Sequence, residues 1–195
     1  MKKPVDLGAL NAEELGQLFP VVIETYSPKW PGHYAIEKNR ILERIDDSDF
    51  VRIDHIGSTA VPGMKAKPTI DILLQVSNLA ENRKLERVFR TLGYRLTPQP
   101  DNPPPHMTFV KGYTPHGFRG QAFHVHVRYE GDWDEIRFRD HLIHHPETAR
   151  AYENLKIELA IRFRNNREAY TEAKSGFILG VMAISRQPGT ILESD

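Results

Sequence analysis

Three groups of residues in this chain have types and spacings that could do chemistry. The first is the corner Gly57-Ser58-Thr59, which follows the alternating run Arg52–Ile56 and precedes a Pro62-Gly63 turn. Glycine lets the backbone bend and approach a ligand closely. Hydroxyls and exposed amides beside it suit a phosphate, although the same residues also make an ordinary turn at a strand end. The second is Asp71, flanked by apolar residues in Thr69-Ile70-Asp71-Ile72-Leu73-Leu74. A carboxylate among core residues needs a partner, either a metal ion or a basic side chain. The third is the pair His124 and His126 in Phe123-His124-Val125-His126-Val127. Two imidazoles two positions apart on a strand share a face and suit a divalent metal or a phosphate clamp; half-exposed edge-strand histidines would look the same.

Basic residues come next. Arg139, Lys156 and Lys174 each stand at the edge of an apolar stripe on a different C-terminal helix. From there they either point into a cleft and grip phosphate or lie along the surface and pair with acids such as Asp140 and Glu158. Lys65 and Lys67 follow the Pro-Gly turn, within reach of a nucleotide's phosphates or of solvent alone. His141, His144 and His145 read as surface residues of a helix, and no metal site is built from them.

These groups need elements to hold them. Leu10–Phe19 reads as a short helix capped by Asn11, with Glu14 completing a capping-box pattern and Pro20 ending it. Val21–Glu24 is a strand or extended arm. Ser27-Pro28 opens a second helix, with Ser27 as N-cap. Phe50–Ile56 and Thr69–Val76 alternate as strands on either side of the corner, which places Thr69, Asp71, Leu73 and Gln75 on one face. Glu81–Leu92 is an amphipathic helix stopped by Gly93. A short strand at Tyr94–Leu96 and a proline-rich loop at 98–105 follow. His106–Lys111 and Gln121–Tyr129 read as hairpin strands joined by a turn over Gly112–Gly120. Three helices close the chain at about 133–145, 147–165 and 168–186, with 187–195 as a frayed tail.

This order gives an α/β (α+β) fold: a small mixed β-sheet flanked by helices, with a C-terminal helical layer. The 195 residues are read as one domain, 1–195, with a core at about 20–130 and helices at about 132–186. Lys+Arg and Asp+Glu both number 26, so no global positive field drives nonspecific nucleic-acid binding. The absence of cysteine excludes disulfides, iron–sulfur clusters and thiolate zinc sites. No run approaches the ~18 apolar residues of a membrane span, and no signal peptide is evident, which together point to the cytoplasm. Neither G-x-G-x-x-G nor G-x-x-x-x-G-K-[ST] is present.

The stretch HIGSTAVPGMKAKPTIDILLQV closely resembles the signature of the GrpB family. EELGQLFPVVIETYSPKWP, FHVHV, the pattern around Trp133–Leu142, YENLK at Tyr152–Lys156 and Y-x-x-x-K-x-x-F-I at Tyr170–Ile178 follow the same family in the same order, over roughly residues 12–185. GrpB domains occur alone and fused to dephospho-CoA kinase, and they resemble the nucleotidyltransferase superfamily. That resemblance implies a Gly-Ser corner after one strand and paired carboxylates on the next. Gly57-Ser58 and Asp71 match, but the second carboxylate position is Leu73. The implied function is a metal-dependent, nucleotidyltransferase-like enzyme acting on a nucleotide and a small acceptor; the alternative is a catalytically degenerate module that binds a nucleotide or phosphorylated metabolite. A scaffold role for the charged C-terminal helices is a third reading. In the first reading Asp71, His124 and His126 hold a divalent ion (Mg, Mn or Zn). Gly57, Ser58, Thr59, Lys67, Arg139, Lys156 and Lys174 bind the substrate. Two imidazoles favour an ion softer than Mg²⁺.

Overall fold

The structure is a computed structural model and describes residues 7–97 and 105–185. Helix α1 spans Ala12–Leu18. The Asn11 side chain accepts from the Glu14 amide and the Glu14 carboxylate accepts from the Asn11 amide, each at 2.9 Å, the reciprocal capping expected from the spacing. Residues 21–24 form an extended arm rather than a strand. They join the body through reciprocal backbone bonds between Glu24 and Ala66 at 2.9 and 3.0 Å.

Helix α2 spans Trp30–Leu42 and starts later than Ser27-Pro28 predicts. The Ser27 hydroxyl accepts from the Lys29 amide, two residues on, which makes a local turn. Pro31 then takes the proline position in the first helical turn. Helix α3, Asn82–Thr91, ends as expected at Gly93, whose φ of +83° suits glycine.

The strands are β1 (Phe50–Ile56), β2 (Thr69–Val76), β3 (Arg95–Thr97), β4 (Met107–Thr114) and β5 (Gly117–Tyr129). They form one sheet in the order β1-β2-β5-β4-β3. β2 and β5 are parallel; the other three pairings are antiparallel. The sheet is therefore mixed, as the element order predicts. The expected proline-rich loop lies mostly outside the described residues, as do the end of the last helix and the tail.

The β4–β5 hairpin differs from the nine-residue turn expected over 112–120. Pairing continues to Thr114 and Gly117. Gly112 has φ +92°, and a Cβ there would lie 2.8 Å from the Gln121 carbonyl oxygen. It marks an irregularity in the ladder between Lys111 and Tyr113, where glycine keeps the strands paired instead of ending them. Tyr113 thereby falls within the sheet, over β5.

One face of the sheet carries Ile70, Ile72, Leu74, Val125 and Val127, packed against Trp30 and Ile41 of α2 and Leu85 and Phe89 of α3. The other face is covered by helices α4 (Asp134–His144), α5 (Pro146–Arg162), α6 (Arg167–Glu172) and α7 (Ser175–Ser185). Here Val61 and Met64 pack with Phe138, Leu142, Tyr152, Val181 and Met182, while Val21 packs with Leu159 and Tyr170. The helix expected at 168–186 is two helices, broken at Ala173-Lys174. The break carries no glycine or proline, so residue type did not announce it. No described helix is long and apolar enough to cross a membrane.

Candidate metal and anion site

β2 and β5 come together in a register that pairs Thr69 with Ala122, Asp71 with His124, Leu73 with His126 and Gln75 with Arg128. All eight residues point to the face covered by the C-terminal helices. Asp71 Oδ1 lies 3.2 Å from His124 Nδ1 and 3.7 Å from His126 Nε2. One ligand atom from each residue falls within 4.8 Å of the others. Donors at ~2.1 Å from a tetrahedral or octahedral ion stand about 3.0–3.4 Å apart, so a small closure would complete the geometry around an ion. Among the described residues this is the one cluster of three such donors.

Burial alone would raise the Asp71 carboxyl, but hydrogen bonds from His124 and His126 outweigh it and keep the group ionised. Burial pushes His124 down, against the pull of Asp71. A carboxylate beside a neutral imidazole is the protonation state a metal requires.

His124 is oriented from behind. Its Nε2 lies 2.7 Å from the Tyr113 hydroxyl, to which Arg167 Nη2 donates at 2.9 Å. With the imidazole proton on Nδ1 facing Asp71, Nε2 accepts from Tyr113. An ion at Nδ1 would move that proton to Nε2, which would then donate to the Tyr113 oxygen. The Thr69 side chain also reaches the Tyr113 oxygen, so the hydroxyl is held from β2 as well as by Arg167.

A basic wall adjoins the cluster. Lys174 Nζ sits 4.5 Å and Lys67 Nζ 5.7 Å from the centre of the Tyr170 ring. Burial, with the nearby Arg167 and Lys174 charges, brings Lys67 down to about 7. Burial likewise lowers Lys174. Asp71 is the acid that opposes both shifts. These amines and the Arg167 guanidinium surround one carboxylate, and an anionic ligand among them would favour their charged forms.

The corner is tied into the framework of the site. Gly57, at φ +71°, lies against Asp71, and a Cβ there would stand 2.7 Å from Asp71 Oδ2. The Ser58 side chain meets the Tyr152 hydroxyl. Thr59 is buried, donates to the Thr69 carbonyl at 3.0 Å and lies 3.0 Å from His55 Nε2, so its hydroxyl secures the turn. Lys156 is 2% exposed and donates to the Lys65 carbonyl; burial lowers it to about 7. Arg139 is committed to Asp140, Asp54 and the His55 carbonyl. Leu73 is fully buried, and the carboxylate opposite it on β1, Asp54, is engaged by Arg52 and Arg139. No second acid therefore joins Asp71 from either strand.

Sequence reasoning missed Tyr113, Arg167 and Tyr170 as parts of the site. Tyr113 was hidden in a stretch read as a turn. Tyr170 was visible in the Y-x-x-x-K pattern shared with Lys174. Arg167 follows the helix cap Asn166 and carries no local signal.

This mixed sheet with a Gly-Ser corner, one inward carboxylate and a helical cover defines the class. The family model described as "GrpB protein" matches residues 20–183, and the chain belongs to the GrpB family. It is 39% identical over 166 residues to the UPF0157 protein PA4798 of Pseudomonas aeruginosa, covering 83% of this chain and 67% of that one. It is also 35% identical over 81 residues to a dephospho-CoA kinase of Mycolicibacterium paratuberculosis, covering 38% of this chain and 19% of the kinase. The fold superposes on the crystal structure of the conserved protein GrpB from Enterococcus faecalis with TM-score 0.70 and 26% identity, over 84% of this chain and 96% of that one.

Proposed function

We propose that this chain is a cytoplasmic enzyme that uses one divalent ion to act on a nucleotide or another phosphorylated small molecule, transferring a nucleotidyl or phosphoryl group to a small acceptor. The observation that carries this reading is the convergence of Asp71, His124 and His126 beside Lys67, Arg167 and Lys174. An ion held there would polarise a phosphoryl oxygen. Two imidazoles and one carboxylate suit Zn²⁺ or Mn²⁺ better than Mg²⁺, which prefers oxygen donors. The basic side chains would neutralise the remaining phosphate charge and orient the transferring group. A two-ion mechanism lacks its second carboxylate, because Leu73 holds that position.

The test loads the purified protein with Zn²⁺, Mn²⁺ or Mg²⁺ and supplies labelled nucleotides with a pool of small acceptors. Asp71→Asn serves as the control. Transfer that needs the ion and disappears in the variant supports the enzyme. Leu73 specifically favours a second reading, a binding module without turnover. That reading predicts thermal stabilisation by a nucleotide with no product formed.

A further inference from the structure

We propose that the cavity between the 20–24 arm and the β4–β5 hairpin seats the organic body of the substrate, a phosphate ester of an aromatic or heteroaromatic compound whose phosphate lies between Lys67 and Arg167. This deepens the proposed function and rests on its phosphorylated substrate.

The cavity measures about 330 Å³, enough for a small ring system. Thr69 and Ala122 border it. They are register partners two residues before Asp71 and His124 on the same face, so the cavity opens about 7 Å along the strands from the ion ligands. Lys67 and Arg167 lie in its wall. Both belong to the basic group beside Asp71, and Arg167 also touches Tyr113 behind His124. An anion between these cations would therefore sit at the junction of the cavity and the ion cluster.

The rest of the wall selects a ring. Phe118 borders the cavity with 45% of its surface exposed. Phe19 and Tyr113 hold it from behind with ring centroids 5.1 Å away in each case. A large aromatic group that is braced yet open offers a fixed surface for another ring. Pro20 and Val22 add apolar surface from the arm. The arm itself is held by the Glu24–Ala66 bonds, by Val21 N–H donating to the Arg164 carbonyl at 2.7 Å and by Arg167 donating to the Phe19 carbonyl at 3.2 Å. Gln121 is committed: its amide nitrogen donates to the Pro68 carbonyl at 2.6 Å and its oxygen lies 2.7 Å from His33 Nδ1. Arg167 is fixed in the wall by the Phe19 carbonyl, the Tyr113 hydroxyl and the Phe118 ring, whose centre lies 6.0 Å from its guanidinium carbon.

Calorimetry on the zinc-loaded protein with phenyl phosphate and with methyl phosphate tests this. The expected result is roughly tenfold tighter binding of phenyl phosphate. Phe118→Ala should erase that preference and leave methyl phosphate unchanged, Phe118→Leu should erase most of it, and Arg167→Gln should weaken both ligands. Phe118 is exposed enough for its variants to fold, which circular dichroism would verify. Equal affinities, a preference that survives Phe118→Ala, or no binding of either ester overturns the assignment. Zinc retention is measured separately. Zinc and methyl phosphate binding without ring preference removes the cavity assignment alone; a ring preference without zinc retention supports the cavity and removes the ion from the proposed function.

Discussion

Gly57 and Asp71 occupy one space. The carboxylate of Asp71 fills the place where a side chain at Gly57 would begin, with Oδ2 2.7 Å from that point. Gly57 also holds φ +71° and ψ −175°, a conformation essentially restricted to glycine. Gly57→Ala should therefore cost about 1–3 kcal/mol from backbone strain and push Asp71 away from the histidines. Denaturant unfolding would show the first effect. Loss of zinc binding beyond what the stability change explains would show the second.

Tyr113 should matter to the ion without touching it. Removing an outer hydrogen-bond partner of a metal-binding histidine typically costs 10–100-fold in metal affinity. Tyr113→Phe keeps the ring beside Phe19 and Phe118 but deletes the hydroxyl bonded to His124. Zinc affinity, measured by competition with a chromophoric chelator, should fall within that range. An unchanged affinity would mean that His124 does not coordinate through this arrangement.

Acid should destabilise the fold through His55. This imidazole stacks on Tyr34 at 4.8 Å, and burial holds it at about 4, with Asp71 opposing and Arg139 adding to the depression. Between the ordinary 6.5 and about 4 the folded state binds fewer protons than the unfolded chain. The stability conferred by neutral His55 is thus complete above about pH 6.5 and is lost as pH falls toward 4, at up to about 1.4 kcal/mol per unit. Unfolding curves across that window should be flatter for His55→Gln than for the parent.

The opposite face of the sheet supplies a control. Glu37 is 1% exposed. It accepts from the Tyr94 hydroxyl at 2.9 Å and from Lys111 Nζ at 2.7 Å, and it pairs with Arg40 at 3.4 Å. Glu37→Ala leaves these groups without their acid and should cost about 3 kcal/mol. Zinc affinity, referred to the folded protein, should not change, because the sheet separates Glu37 from Asp71. A fall in both would show that the two faces are coupled.

How legible the chain was depends on the range of each interaction. The Asn11–Glu14 cap, the Gly93 stop and the alternation in β1, β2 and β5 are local and were read correctly. Asp71, His124 and His126 were recognisable as donor types, but their meeting depends on β2 lying parallel to β5, a pairing between distant segments that alternation cannot specify. Lys156 shows the same limit: its helix was evident, yet only tertiary packing aims its amine at the Lys65 carbonyl. Gly112 misled because glycine in a strand can mean either a turn or a ladder irregularity. Asp54 was read simply as part of an alternating strand, and its capture by Arg52 and Arg139 is visible only in three dimensions.

The parallel β2–β5 junction also dictates when the site comes into being. Its donors are contributed by segments that cannot meet until the chain between them has crossed over the sheet, and such long-range closure is slow. In the unfolded chain an ion would therefore encounter scattered ligands and gain little. Once the junction closes, an ion bound by the triad would be held from both strands at once. Added zinc should leave the refolding rate almost unchanged and slow unfolding instead, making the ion a latch on the finished sheet rather than a template for its assembly.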